Sequence, residues 1–290
     1  MSRLVGILCA AAVCCFFCMF ISHAEEKGGC IPVMSVEEDS LAYHAGEYLK
    51  FTMHYEWGAI DSDVGWATVH LDSLAFNGED AFRCSVYGQT TRLFDLFFKV
   101  RENFSSWFTR DGLRPLKFTR DTQEGKYIAK NEYTYLWSAP EAPYIAADVY
   151  TSSGGRKYLE LPLDACTYDL PALFFLARNM DFDKVEQDVK YPMTFAIDDE
   201  VYNVYFIMRG REKKKVKGLG TVNTVRFAAK LLAGNVFTGD DDLSIWISDD
   251  DNRIPVLFEA PILVGKASGR LEDWSGLKHP FSSLIKRKRR

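Results

Sequence analysis

The chain has 290 residues, 47% of them hydrophobic and 14% aromatic, with a formal net charge of -5. That much apolar material can fill a sizeable core, and the acid-rich balance leaves no broad basic face for nucleic acid. Four of the seven cysteines (Cys9, Cys14, Cys15, Cys18) fall in an N-terminal apolar run, and an odd remainder of Cys30, Cys84 and Cys166 excludes a disulfide framework.

Arg3 precedes that run, Leu4 to Ile21, which ends in Ser22-His23-Ala24 with small residues where a signal peptidase reads. Residues 1–24 therefore predict a cleavable signal peptide and location in the periplasm or cell envelope. Retention as an anchor is the alternative, because spanning segments begin near about 18 apolar residues. Residues 25–45 read as a polar leader. Cys30 follows Lys27-Gly28-Gly29, several residues past the apolar run, which is out of place for a lipid-acceptor cysteine. Cys84 and Cys166 read as small buried hydrophobes, with at most one bridge among the three cysteines.

From residue 46 the pattern has period two. Leu49, Phe51, Met53, Tyr55 and Trp57 share one face of a strand. Gly58–Gly65 reads as a turn into a returning strand, Trp66–Leu71. A register centred on that loop would bring His54 near His70, with Glu56 and Thr68 close by, a two-histidine arrangement that either holds a metal or is a solvent-facing polar stripe; the second is preferred. Strand patterns follow at 82–87, 100–108, 116–120 and 127–137, where Tyr127, Ala129, Tyr133, Tyr135 and Trp137 share a face. The LFDLFF stretch at 93–98 is too short and uniform to assign by period.

Pro140 and Pro143 interrupt the chain before a strand at 157–163. One helix is expected, Asp169–Asn179, capped by Asp169, with Pro171 in its first turn and an apolar stripe of Leu173, Phe174, Leu176 and Ala177. Strands resume at 193–197, 201–208 and 222–227, the first two joined by a tight Asp198-Asp199 reversal. The basic run Arg209–Lys217 reads as a charged loop or as an edge strand guarded by lysines. In 243–271, Leu243, Ile245 and Ile247 alternate with Ser244, Trp246 and Ser248, and Asp249–Asn252 turns the chain into Ile254, Val256 and Phe258. Pro255 and Pro261 lack a backbone donor and confine that second strand to an edge or to a bulge. Residues 276–290 form a basic tail, expected to be a solvated terminus.

Catalytic motifs are missing: no GxSxG, HExxH, phosphate-binding GxxxxGK[ST] or GxGxxG is present, and the acidic clusters 240–242 and 249–251 lack the spacing of a calcium loop. No catalytic residue, metal or cofactor is assigned. Aromatic side chains recur on strand faces, and a curved sheet lined by them and covered by one helix would enclose an apolar cavity. The cavity residues expected are Tyr55, Trp57, Trp66, Tyr133, Tyr135, Trp137, Phe206 and Trp246.

Several segments carry a family likeness: Gly46-Glu47 with LKFTMHYEWGAIDSDVGWATVHL, LRPLKFTRDTQEGKY at 113–127, YDLPALFFLAR at 168–178, and LSIWISDDDNRIPVLFE followed by Gly265. On these segments residues 46–271 resemble the exported bacterial proteins of domain of unknown function 3108. The resemblance implies an envelope-located β domain and carries no catalytic residues. In architecture alone, the expected arrangement is similar to that of the periplasmic carriers of lipoproteins, an unclosed barrel with a helical lid.

The expected fold is mainly β: a large antiparallel meander over 46–275 forming an incomplete barrel or strongly curved sheet, with one covering helix. The expected function is non-enzymatic binding of a lipid, acyl chain or other amphiphile in the β cavity, with membrane contact at most peripheral. An envelope assembly protein that binds a protein partner, and a hydrolase of glycans or lipids, are the alternatives.

Overall fold

Residues with alternating apolar and polar side chains bury one face and leave the other to solvent, and most strands of the N-terminal half do so, whereas those at Leu243–Ser248 and Pro255–Pro261 are buried on both faces. The computed structural model describes residues 36–230, 243–261 and 265–287. The expected signal peptide and Cys30 lie outside the described residues. Sixteen strands form one antiparallel sheet, apart from a short parallel pairing at one edge. Eight make a meander: β1 (Tyr48–Trp57), β2 (Ile60–Phe76), β3 (Glu79–Thr90), β4 (Val100–Thr109), β5 (Pro115–Glu124), β6 (Tyr127–Leu136), β7 (Tyr144–Thr151) and β8 (Gly155–Pro162). After β9 (Thr167–Tyr168), a second run comprises β10 (Lys190–Ile197), β11 (Glu200–Val216), β12 (Gly220–Lys230), β13 (Leu243–Ser248), β14 (Pro255–Pro261) and β15 (Lys266–Ser275). β15 pairs with β1 and joins the two runs, while β16 (Leu284–Arg287) pairs with β12.

The sheet rolls around a core without closing: β8 and β9 are its outer edges. We call the end with the β1–β2, β3–β4, β5–β6 and β7–β8 connections the upper end. The gap is bridged by side chains from the β10–β11 turn. Asp198 adopts a positive φ of 52°, which lets the reversal be tight. Its Oδ1 accepts from Arg120 Nη1 at 2.7 Å and Asn131 Nδ2 at 2.9 Å, and its carbonyl accepts from Tyr133 Oη at 2.6 Å. Asp199 meets Lys157 of β8 at 2.6 Å. The turn on one side of the roll thus clasps β5, β6 and β8 on the other.

The expected helix is α2 (Leu170–Ala177); a single turn, α1 (Arg92–Asp95), precedes it and resolves the LFDLFF stretch. α2 lies inside the roll, against β3 and β4 on one side and β10 on the other, and its residues from Leu170 to Leu176 are all buried. Asp169 caps it, accepting the Ala172 amide at 3.0 Å.

Several expectations are corrected. The leader is folded from residue 36: Leu41, Ala42 and Tyr43 are buried, Tyr43 packs edge-on against Phe175 at 4.6 Å, and Asn179 Oδ1 accepts the Ala42 amide. The C-terminal tail is likewise pinned through β16, with Phe281 packed on Trp274 and Lys278 donating to the carbonyls of Asp39 and Leu41. Of the two settings expected for β14, it takes the bulge and not the edge: the strand is interior, and a register shift opposite Pro255 accommodates the missing donor. Cys84 is a buried thiol, whereas Cys166 is half-buried and disulfide-bonded, its partner lying outside the described residues. The segment Arg209–Val216 continues β11 past the end of β10, so it keeps one open edge lined by lysines. Strands β7 and β15, which the sequence reading passed over, complete the sheet.

Candidate ligand cavity and the helix that closes it

Between α2 and the wall formed by β10 to β14 lies an apolar cavity of about 50 Å³. The helix contributes Leu173, Phe174 and Ala177. The wall contributes Val204 and Phe206 of β11, Phe227 and Ala229 of β12, and Leu243, Ile245 and Ile247 of β13. Among the described residues, Arg178 is the only charged one in the lining. Ala229 lies one residue before the end of β12 and Leu243 begins β13, so the cavity runs from the helix toward the upper end of the roll.

Both ends of the helix are fixed by polar contacts. At its start Ser106 of β4 donates to Asp169 Oδ2 at 2.9 Å, and the buried Tyr135 hydroxyl lies beside the same carboxyl. Burial pushes the Asp169 carboxyl up to about 7, against the Ala172 amide and Ser106 hydroxyl, which favour the ionised form. At its end Arg178 donates through both Nη atoms to the Glu47 carboxylate, the Nη2 bond at 2.8 Å, and to the Asn252 carbonyl at 2.8 Å. The Arg178 guanidinium also sits over the ring of Tyr43 at 5.0 Å and that of Phe175 at 5.4 Å. Asn252 is held in turn by His279 and Pro280 at the C-terminal segment.

A second polar group lies beneath the β10–β11 turn. Arg120, 3% exposed, donates through Nε to Thr122 Oγ1 at 2.8 Å, and Thr122 donates to Glu102 Oε2 at 2.5 Å. Burial pushes the Glu124 carboxyl up to about 7, Arg120 opposing and Asp198 adding to the rise, with Glu102 hydrogen-bonded beside it. These carboxyls converge, but neither residue lines the cavity.

Of the eight aromatic residues expected at a cavity, Phe206 lines it. Tyr55, Tyr133 and Tyr135 are buried in the core, Tyr133 serving the Asp198 clasp. Trp137 stacks on Tyr135 and donates to the Pro115 carbonyl at 2.6 Å. Trp57 ends β1 and is 52% exposed. Trp66 lines a polar groove with Lys50, Arg270 and Glu272. Trp246 has the opposite parity to Ile245 and Ile247, so it leaves the cavity face; it donates to Glu212 and lies 3.6 Å under the Lys214 ammonium. Aliphatic residues on the other parity carry the lining instead.

The two histidines do not meet. β2 begins at Ile60, so the β1–β2 turn is Gly58-Ala59 and the register places His70 opposite Tyr48 and His54 opposite Asp63. His54 contacts Asp61 at 2.9 Å and Asp63 at 2.8 Å.

The geometry defines a barrel-like protein: one unclosed antiparallel sheet rolled around a buried helix. A family model described as a protein of unknown function, DUF3108, matches residues 50–272, and the chain belongs to that family. Among solved structures, the roll is similar to a β-barrel-like protein of domain of unknown function DUF1849 from Brucella abortus. The two share 10% identity with a TM-score of 0.52, over 80% of this chain and 98% of that one, a likeness of fold alone. No curated protein matches the chain.

Proposed function

We propose that the protein is an exported, non-enzymatic binder of an amphiphile, a lipid or other molecule with an acyl chain, which it holds between α2 and the β10–β14 wall in the periplasm or cell envelope. The observation that carries this reading is the lining: among the described residues, a set of aliphatic and phenyl side chains charged only at Arg178, inside a sheet that does not close. Pockets for drug-sized ligands run to about 300–1,000 Å³, several times the present cavity, so an acyl chain enters only when α2 moves away from the wall. The seam between β8 and β9 supports such a movement, since it is held by the Asp198 and Asp199 side-chain contacts and not by a strand ladder. Arg178, at the lower end of the cavity, is neutralised by Glu47, so it presents no unpaired charge to an acyl chain.

The test is native mass spectrometry of the protein purified from its own envelope, followed by extraction of whatever co-purifies. A stoichiometric amphiphile is the expected result. A uniform apo mass would overturn the reading and favour a partner-binding role.

One observation favours a second reading, hydrolysis: the convergent carboxyls of buried Glu102 and half-buried Glu124. They are engaged by Arg120 and Thr122 beneath the clasp, away from the cavity, which makes them a structural group in this account.

A further inference from the structure

The loop from Thr91 to Lys99, between β3 and β4, holds three large apolar side chains in solvent: Leu93 is 72% exposed, Leu96 79% and Phe97 76%. The loop is built to hold them there. Thr91 caps α1 by accepting the Phe94 amide, and Phe98 is buried beneath. The Asp95 carboxylate is gripped by Arg101 through both oxygens, at 3.0 Å and 2.5 Å, and by the Thr90 hydroxyl. A frame of this kind fixes the loop while leaving its apolar tips unburied.

The neighbouring connection at the same end repeats the feature. The β1–β2 hairpin runs five residues past Gly65, which pairs with Thr90 at the end of β3, and its tip bears Trp57, 52% exposed, and Ile60, 41% exposed. Exposed lone hydrophobics are ordinary; five gathered on two adjacent protruding tips are not. The charges beside the loop are of one sign. Arg92, Lys99 and, on the β5–β6 turn, Lys126 are exposed and make no ion pair among the described residues. On the hairpin, Asp63 is paired with Arg270, while Glu56 and the exposed Asp61, which among the described residues meets only His54, are opposing charges set on the other tip.

From this we infer that the β3–β4 loop, with the β1–β2 tip, docks the upper end of the roll on an anionic lipid bilayer, Leu93, Leu96 and Phe97 entering the head-group region and Arg92, Lys99 and Lys126 meeting lipid phosphates. Apolar points flanked by unpaired cations are the chemistry of an interfacial anchor, whereas a flat apolar patch would suit a protein face. The surface is separate from the cavity and exists whether or not the cavity is filled. The cavity extends toward this same end, so docking would bring it to the membrane.

The experiment is flotation of the full chain with vesicles of phosphatidylethanolamine and phosphatidylglycerol, and with vesicles of phosphatidylcholine alone. Wild type should float with the anionic vesicles and do so less as salt rises. Leu96→Asp with Phe97→Asp should lower the bound fraction by at least about tenfold, since each buried side chain of this size is worth roughly 1.5–3 kcal/mol. Because both residues are exposed, the variant should keep the wild-type melting temperature. Arg92→Glu with Lys99→Glu should weaken binding and remove its salt dependence. Failure of wild type to float, or flotation unchanged in the Leu96/Phe97 variant, would overturn the inference, as would a concentration-dependent dimer that this variant abolishes in the absence of vesicles. Native mass spectrometry of the same variant separates the two proposals: retained amphiphile with lost flotation assigns the defect to docking alone.

Discussion

Glu47 and Arg178, 131 positions apart in sequence and each 1% exposed, form a buried two-pronged ion pair that ties the entrance of β1 to the end of the helix inside the roll. Arg178 reaches on to the Asn252 carbonyl in the β13–β14 turn, so one guanidinium holds three parts of the lower end together. Removing one partner from a buried pair strands the other charge away from water. Glu47→Leu or Arg178→Met should therefore cost about 3–5 kcal/mol of unfolding free energy, while the two combined should be less destabilised than either single variant. Denaturant unfolding of the three variants measures this coupling. Additive losses would show that the pair does not act as a unit.

Asp169 and Glu124 give the protein a pH dependence opposite to that of its surface carboxylates. Both are raised to about 7 by burial, whereas carboxyls in the unfolded chain titrate near about 4. Between those values the folded state holds more protons than the unfolded chain, so the contribution of these groups to stability falls as pH rises from about 4 to about 7 and is level above. Asp63, held down to about 2 by Arg270 and His54, works the other way: its contribution is present above about 4 and is lost as pH falls toward 2. Asp169→Asn keeps a cap oxygen for the Ala172 amide and should flatten the decline in melting temperature between pH 5 and 7. An unchanged slope in that variant would assign the effect elsewhere.

The Asp198 clasp is what closes the seam of the roll. Asp198→Ala leaves Arg120 and Asn131 without their shared acceptor and should raise amide exchange in β9 and β10 while leaving β1 to β4 protected. Asp198→Asn keeps the acceptor and the tight turn, and should have the smaller effect. Uniform exchange across the sheet in the alanine variant would mean that the turn is not a local closure.

Gly265 tests the packing of the sheet against its own connections. Its φ is 89°, and a Cβ there would lie 2.2 Å from the Glu56 carbonyl oxygen, while a Cβ on Gly58, also at positive φ, would meet nothing within 4 Å. Gly265→Ala should cost more than about 2 kcal/mol and Gly58→Ala roughly 1 kcal/mol or less, since only the first adds a backbone clash to the dihedral strain. Melting curves of the pair check it.

Much of this fold was legible in the residues because half-buried antiparallel strands announce themselves by period two. The face of Leu49, Phe51, Met53 and Tyr55 reads directly as β1, and Asp169 with Pro171 marks the start of α2. The face of Leu243, Ile245 and Ile247 was legible as well, and it lines the cavity. Aromatic size is a poorer guide to the cavity than parity: Trp246 is large and apolar, but its parity turns it to Glu212 and Lys214. Long-range polar contacts left no trace in local pattern. Arg178 follows an apolar stripe and reads as an ordinary helix-end cation, and its partner Glu47 stands at the start of the first strand pattern. Tyr43 is buried only because the helix end lies above it, which no window of sequence around Tyr43 contains.

The central claim is that an acyl chain binds between α2 and the β11–β13 wall. It is tested most directly by titrating delipidated protein with a fluorescent long-chain fatty acid, comparing wild type with Ala229→Leu, a change that fills the cavity from the wall without touching Arg178 or the Glu47 pair. Saturable binding of one equivalent to wild type, weakened at least about tenfold in a folded Ala229→Leu variant, is the predicted result, because filling the space removes roughly 1.4 kcal/mol or more of chain burial. No saturable binding to wild type, or equal affinity in the two proteins, would contradict the account.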